Sequence, residues 1–117
     1  MARILVLEDN DYIRTWYARE LASEGHEVLQ AVRLDEALEE LRRSRPDFVV
    51  MDITYRAIDR AHEVMLILIR DSKVRLILNI AHDRGQAHFV PLDAHAHFAR
   101  SSDLSDLKRV IHSLLAA

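Results

Sequence analysis

The sequence predicts an α/β fold, an open, doubly wound parallel sheet with helices on both faces. Short apolar runs alternate with segments of helical periodicity along the whole chain, the order that builds a parallel sheet between layers of helices. Two of those runs, Ile4-Leu5-Val6-Leu7 and Phe48-Val49-Val50-Met51, end directly in acids, Glu8-Asp9 and Asp52. In such a sheet the carboxyl ends of the strands all face one edge, where ligands bind at the point of strand reversal. No repeat, low-complexity stretch or Gly/Pro/Ser-rich linker interrupts the pattern, and 117 residues suffice for one core. Residues 1–117 therefore read as a single domain.

The elements follow in order. After the first strand, Ile13, Trp16, Tyr17 and Leu21 recur at helical spacing until Ser23-Glu24-Gly25, where Gly25 can take the left-handed cap conformation. Val28 to Val32 reads as a short strand. Leu34, Ala37, Leu38 and Leu41 lie on one face of a second helix that stops before Pro46. It leads into the strand carrying Asp52. From about 58 to 71 a third helix holds Ala61, Val64, Met65, Leu68 and Ile69, and the added Leu66 and Ile67 make its apolar surface wider than one core stripe. Leu76-Ile77-Leu78-Asn79-Ile80 has the nearly continuous apolar character of a central parallel strand. Gly85 and Pro91 leave room for only a short or irregular fourth helix. A fifth strand at about His95 to Ala99 precedes a last amphipathic helix marked by Leu104, Leu107, Val110, Ile111 and Leu114, with Ser102 or Asp103 as its N-cap.

Composition narrows the chemistry. Half the residues are apolar and 30% are charged, the balance of a globular protein. The absence of cysteine excludes disulfides, thiolate metal sites and cysteine nucleophiles, and fits a reducing cytoplasm. Met1-Ala2-Arg3 runs straight into the first strand, with no signal-peptide core and no membrane-length apolar stretch downstream. A formal charge of −3 argues against nucleic-acid binding, and Arg42-Arg43-Ser44-Arg45 reads as a solvated helix end whose dipole favours cations. With two glycines in the chain, neither a P-loop nor a G-x-G-x-x-G turn can be built.

Glu8, Asp9 and Asp52 together make a hard-cation site. Magnesium suits it, since that ion prefers an octahedron of oxygens, keeps several waters and typically uses one or two carboxylates. A carboxylate beside such a cation can act as a nucleophile on phosphorus, because the cation screens the charge shared by nucleophile and donor.

Leu7-Glu8-Asp9-Asn10 after the first strand and Met51-Asp52-Ile53 after the third give the chain, over its whole length, a pattern that resembles the response-regulator receiver domain of two-component systems. Glu36-Ala37-Leu38, Arg45-Pro46-Asp47 and Ala81 just after the fourth strand also look like family positions. The resemblance implies a flavodoxin-like (βα)5 fold with strand order 2-1-3-4-5. It implies that Asp52 is the phosphoacceptor, served by a histidine kinase, a phosphotransfer protein or a small phosphodonor. It also implies Mg2+ ligation by Asp9 and Asp52 directly, by Glu8 through water, and by the main-chain carbonyl of Thr54. Such a domain is no enzyme beyond its own phosphorylation and dephosphorylation, and it signals to a downstream protein partner.

Several positions depart from the family. Ile80-Ala81 stands where the family has Thr or Ser followed by a small residue, and isoleucine has no hydroxyl for a phosphoryl oxygen. An alignment shifted by one residue places Asn79 there instead, at the cost of the Ala81 match. Arg100-Ser101 replaces Lys followed by a cis-proline; the charge is kept in a planar, bidentate form, and a cis bond before serine would cost about 3 kcal/mol. His97 occupies the switch-aromatic position, and Thr54-Tyr55-Arg56-Ala57 lacks the usual proline. These changes imply altered or weak phosphorylation-dependent switching.

His82, His88, His95 and His97 crowd one region, yet spacing fixes no third metal ligand beside His95 and His97, so polar surface or interface is the expected role. Phosphatases that form an aspartyl-phosphate carry a second Asp two residues after the nucleophile, where this chain has Thr54. The main competitor is a receiver-like module that binds a partner independently of phosphorylation. The broad third helix fits a protein contact such as a homodimer, and equally fits core packing.

Overall fold

The computed structural model describes residues 1–53, 74–80, 96–98 and 104–116, with 52–53, 78–80 and 96–98 described as strand backbone. Five parallel strands, β1 Arg3–Leu7, β2 Glu27–Ala31, β3 Phe48–Ile53, β4 Arg75–Ile80 and β5 Ala96–Phe98, form one sheet in the order β2-β1-β3-β4-β5. Helix α1 (Asp11–Ser23) joins β1 to β2, and α2 (Leu34–Ser44) joins β2 to β3. The chain goes from β1 outward to β2 and returns past β1 to β3. The strand order thus reverses between β1 and β3, the two strands that end in acids.

The central strands are apolar on both faces because both faces are covered. On one face Leu5, Leu7, Val49, Met51 and Leu76 pack with Ala37 and Leu41 of α2. On the other, Ile4, Val6, Phe48, Val50 and Ile77 pack with Tyr17 and Leu21 of α1 and with Leu107 and Ile111 of the C-terminal helix, Ser105–Ala116. Each such aliphatic or Phe side chain, fully removed from water, is worth about 1.5–3 kcal/mol. Two polar ties fix the C-terminal helix: Lys108 Nζ lies 2.8 Å from Glu20 Oε1 of α1, and Arg75 Nη1 donates to the Leu114 carbonyl at 2.8 Å.

Helix ends follow local chemistry. The Asn10 side chain accepts from the Ile13 N–H and caps α1. After Ser23 the chain turns through Gly25 at φ +92, as expected from the glycine, and its N–H donates to the Ala22 carbonyl. Arg45 ends α2 in the left-handed region at φ 48, just before Pro46. Arg43 pairs with Glu40 and Glu39, and Arg42, Arg43 and Arg45 are exposed, as a solvated helix end should be.

Some element boundaries differ from expectation. β2 begins at Glu27, one residue before Val28, because the Glu27 N–H donates to the Ala2 carbonyl and its carboxylate pairs with Arg3. It ends at Ala31, because the Val32 N–H is taken by the Glu36 carboxylate that opens α2. The C-terminal helix begins at Ser105 behind Leu104, whose carbonyl accepts the Lys108 N–H; the expected caps Ser102 and Asp103 lie outside the described residues. So do the expected third helix with Leu66 and Ile67, the short fourth helix, and His82, His88 and His95.

His26 ties the start of β1 to the turn before β2. Its Nδ1 accepts the Ala2 N–H at 3.1 Å. Burial pushes the imidazole pKa below its ordinary value, the chain's amino terminus adds to that, and Glu24 opposes it. The folded state therefore favours neutral histidine. Its stabilising contribution is complete above about pH 6.5 and is lost as pH falls through the lowered folded value. Denaturation free energies between about pH 7 and pH 5 should fall more steeply in the wild type than in His26→Asn; parallel slopes would refute the assignment.

Candidate functional site

The site grows from the register of β1 against β3. Leu7 stands beside Met51, so Glu8 and Asp52 are the next residues along two adjacent strands, with Asp9 one step beyond. β3 runs through Asp52 to Ile53, so the acid lies within the ladder near its carboxyl end.

Among the described residues, three hydrogen bonds hold Glu8 in place. Its N–H continues the β1–β2 ladder to the Ala31 carbonyl at 3.0 Å, and its carbonyl accepts from Arg14 Nη1 at 3.0 Å. Its carboxylate Oε2 accepts the Asn10 N–H at 2.7 Å. Glu8 is 9% exposed, the one buried charged residue among those described. A buried carboxylate that already accepts a main-chain N–H suits an indirect, water-bridged contact with a cation. Asp9, next to it, is exposed and open to solvent. The helix that follows brings Arg14 back over this turn, with Nη2 at 2.6 Å from Asp11 Oδ1 and Nε at 3.2 Å from Gln30 Oε1 of β2.

The donor set is all hard oxygen, which fits Mg2+ better than a softer ion. Among the described residues no three His, Cys, Asp or Glu side chains by themselves form a group able to hold a metal. The expected set includes Asp52 and the Thr54 carbonyl. Asp52 is described by its backbone, and Thr54 lies outside the described residues, as do Ala81, Arg100 and Ser101.

On β4, Asn79 stands in register with Asp52, and Ile80 with Ile53. The two candidates for the family's hydroxyl position are thus one level with the acid and one a residue nearer the carboxyl edge. His97 sits in β5 in register with Leu78. Sequence reasoning missed Arg14 and Gln30. The pair Asp11 and Arg14, three apart on a helix, was a usable signal. The link to Gln30 was not, because it depends on how α1 lies over β2.

No family model matches the chain. The transcriptional regulatory protein AfsQ1 of Streptomyces coelicolor is 36% identical over 78 residues, 67% of this chain and 34% of that protein. This chain thus spans about a third of that relative's length. Sporulation initiation phosphotransferase F of Bacillus subtilis is 25% identical over 117 residues, covering 97% of this chain and 93% of the relative. Among solved structures, the response regulator protein TrrA of Thermotoga maritima, in complex with the histidine kinase ThkA, superposes with a TM-score of 0.81 at 27% identity. That match covers 98% of this chain and 99% of TrrA. A second TrrA structure, in complex with Mg2+-BeF, gives a TM-score of 0.80 at 26% identity over 97% and 99% of the two chains. The chain is a response-regulator receiver domain. The receiver's flavodoxin-like sheet is the one expected from the sequence, and the strand order 2-1-3-4-5 is the one observed. Among the described residues no helix of this receiver is long and apolar enough to cross a membrane.

Proposed function

We propose that this receiver, as one domain over residues 1–117, accepts a phosphoryl group on Asp52 from a histidine kinase or phosphotransfer protein. The observation that carries the reading is the β1–β3 register, which brings Glu8, Asp9 and Asp52 off adjacent strands at the point of strand reversal. TrrA, of the same fold and 26–27% identical, has been captured with a histidine kinase and with Mg2+-BeF, which supports both the partner and the ion. Asp9 and Asp52 would hold Mg2+ directly, with Glu8 through water and the Thr54 carbonyl completing the protein ligands. The bound ion would screen negative charge between carboxylate and phosphoryl donor. The Asp52 carboxylate oxygen attacks phosphorus, the bond from phosphorus to the donor's imidazole nitrogen breaks, and its electron pair leaves on the imidazole. Hydrolysis of the acyl phosphate then restores Asp52. A cytoplasmic setting follows from such a partner.

Switching in this receiver is weakened. Ile80 offers no hydroxyl to a phosphoryl oxygen, with Ala81 after it; Arg100 stands for the family's lysine, and His97 for its switch aromatic. The same isoleucine favours a second reading, a partner-binding module indifferent to phosphorylation, as a homodimer or with a downstream protein. Amide NMR with Mg2+ and beryllofluoride separates the two. Shifts confined to the Glu8–Asn10 turn and the end of β3 are expected. Large shifts spreading through β4 and β5 would refute the weakened switch, and no shifts at all would refute phosphorylation itself.

A further inference from the structure

We infer that Arg14 is a positioning residue for the cation-binding turn, acting through Glu8 without touching the ion. The inference rests on the magnesium reading of Glu8, Asp9 and Asp52. Arg14 spends its guanidinium on three acceptors from three parts of the chain: the Glu8 main-chain carbonyl at the end of β1, Asp11 at the start of α1, and Gln30 near the end of β2. Its side chain is only 12% exposed, whereas its ion-pair partner Asp11 is 86% exposed. A surface ion pair is therefore not what holds it in place. The guanidinium's planar fork presents Nε, Nη1 and Nη2 to three separate acceptors at once, a spread that the three donors of a single ammonium nitrogen do not match.

The consequence falls on Asp9. Glu8 N–H is fixed to Ala31, Glu8 Oε2 to the Asn10 N–H, and the Glu8 carbonyl to Arg14. That carbonyl belongs to the peptide leading into Asp9, so Arg14 sets the plane from which the Asp9 carboxylate projects. Outer residues that orient metal ligands typically change metal affinity by about 10–100-fold. Charge alone predicts the opposite sign, since removing a nearby cation should tighten Mg2+ binding. The sign of the effect thus distinguishes geometry from electrostatics.

The test uses Mg2+ titration of the full chain by amide NMR, with wild type, Arg14→Ala and Arg14→Lys, alongside hydrogen exchange of the metal-free proteins. Both variants should bind Mg2+ about 10-fold more weakly. They should also lose protection at the Glu8 and Asn10 amides while the β1 amides of Leu5 and Val6 stay protected, a pattern that general destabilisation would not give. Arg14→Lys keeps the charge and the aliphatic stem, so it guards against a failure of Arg14→Ala to fold. Unchanged or tighter binding in the variants, or full rescue by lysine, overturns the assignment of Arg14 alone. If the wild type shows no Mg2+-dependent shifts, the magnesium reading fails and the role of Arg14 fails with it.

Discussion

Asp52→Asn is expected to abolish phosphoryl incorporation from acetyl phosphate in the presence of Mg2+, read as loss of the phosphorylated mass of the intact protein. The carboxamide has almost the shape of the carboxylate but lacks the anionic oxygen that attacks phosphorus, and it removes one of the charges that hold the cation. The substitution sits near the end of β3, whose ladder to β4 is made by main-chain groups, so the fold should survive. Unfolding curves of the two proteins should nearly coincide. Undiminished phosphorylation of Asp52→Asn would move the acceptor to another acid, with the exposed Asp9, two residues past the end of β1, the first candidate. If a partner binds wild type and Asp52→Asn with equal affinity, the phosphorylation-indifferent reading gains, and Ile80 supplies its reason.

The sheet and its acidic edge were legible because the strands concerned are central. Ile4 to Leu7 and Phe48 to Met51 are buried on both faces, so each announces itself as an unbroken apolar run, and the first polar residue after it marks the carboxyl end. That same lack of alternation hides register. Nothing in an all-apolar run says which residue faces which helix, so the division of Leu5 and Leu7 from Ile4 and Val6 between the two cores could not be read. For the same reason the levels of Asn79 and Ile80 relative to Asp52 could not be read from the run itself; the ladder sets Asn79 level with Asp52 and Ile80 level with Ile53. Edge strand β2 was displaced by one residue in the reading because Val32 has strand character. Its N–H nevertheless goes to Glu36, and the residue is 37% exposed. Arg14 shows the limit from the other side: two of its three acceptors lie within six residues, but the third comes from β2. Contacts of that kind belong to packing, and no local pattern specifies them.

Phe48→Ala should cost about 3–5 kcal/mol, the range for emptying a large aromatic site in a core. The ring is fully buried at the start of β3, with Ile4 in register on one side and Arg75 on the other. The Arg75 guanidinium lies over the ring, 5.4 Å from its centroid, so the aromatic face supplies a cation–π contact that no aliphatic replacement restores. Arg75 in turn donates to the Leu114 carbonyl. Removing the ring therefore opens a cavity under α1 and the C-terminal helix and frees the arginine that ties that helix to the sheet. Against a domain stability of roughly 5–15 kcal/mol, the loss is enough to populate unfolded protein under mild conditions. Urea denaturation should show a lowered midpoint with an unchanged slope, and Phe48→Leu should recover most of the apolar burial but not the contact with Arg75. A change below about 1 kcal/mol in Phe48→Ala would mean that the core collapses into the vacated volume. The position of β3 between β1 and β4 could then not be credited to this ring. Because β3 carries Asp52 at its far end, the same variant should weaken Mg2+ binding only in proportion to the folded fraction, which separates a loss of scaffold from a loss of site.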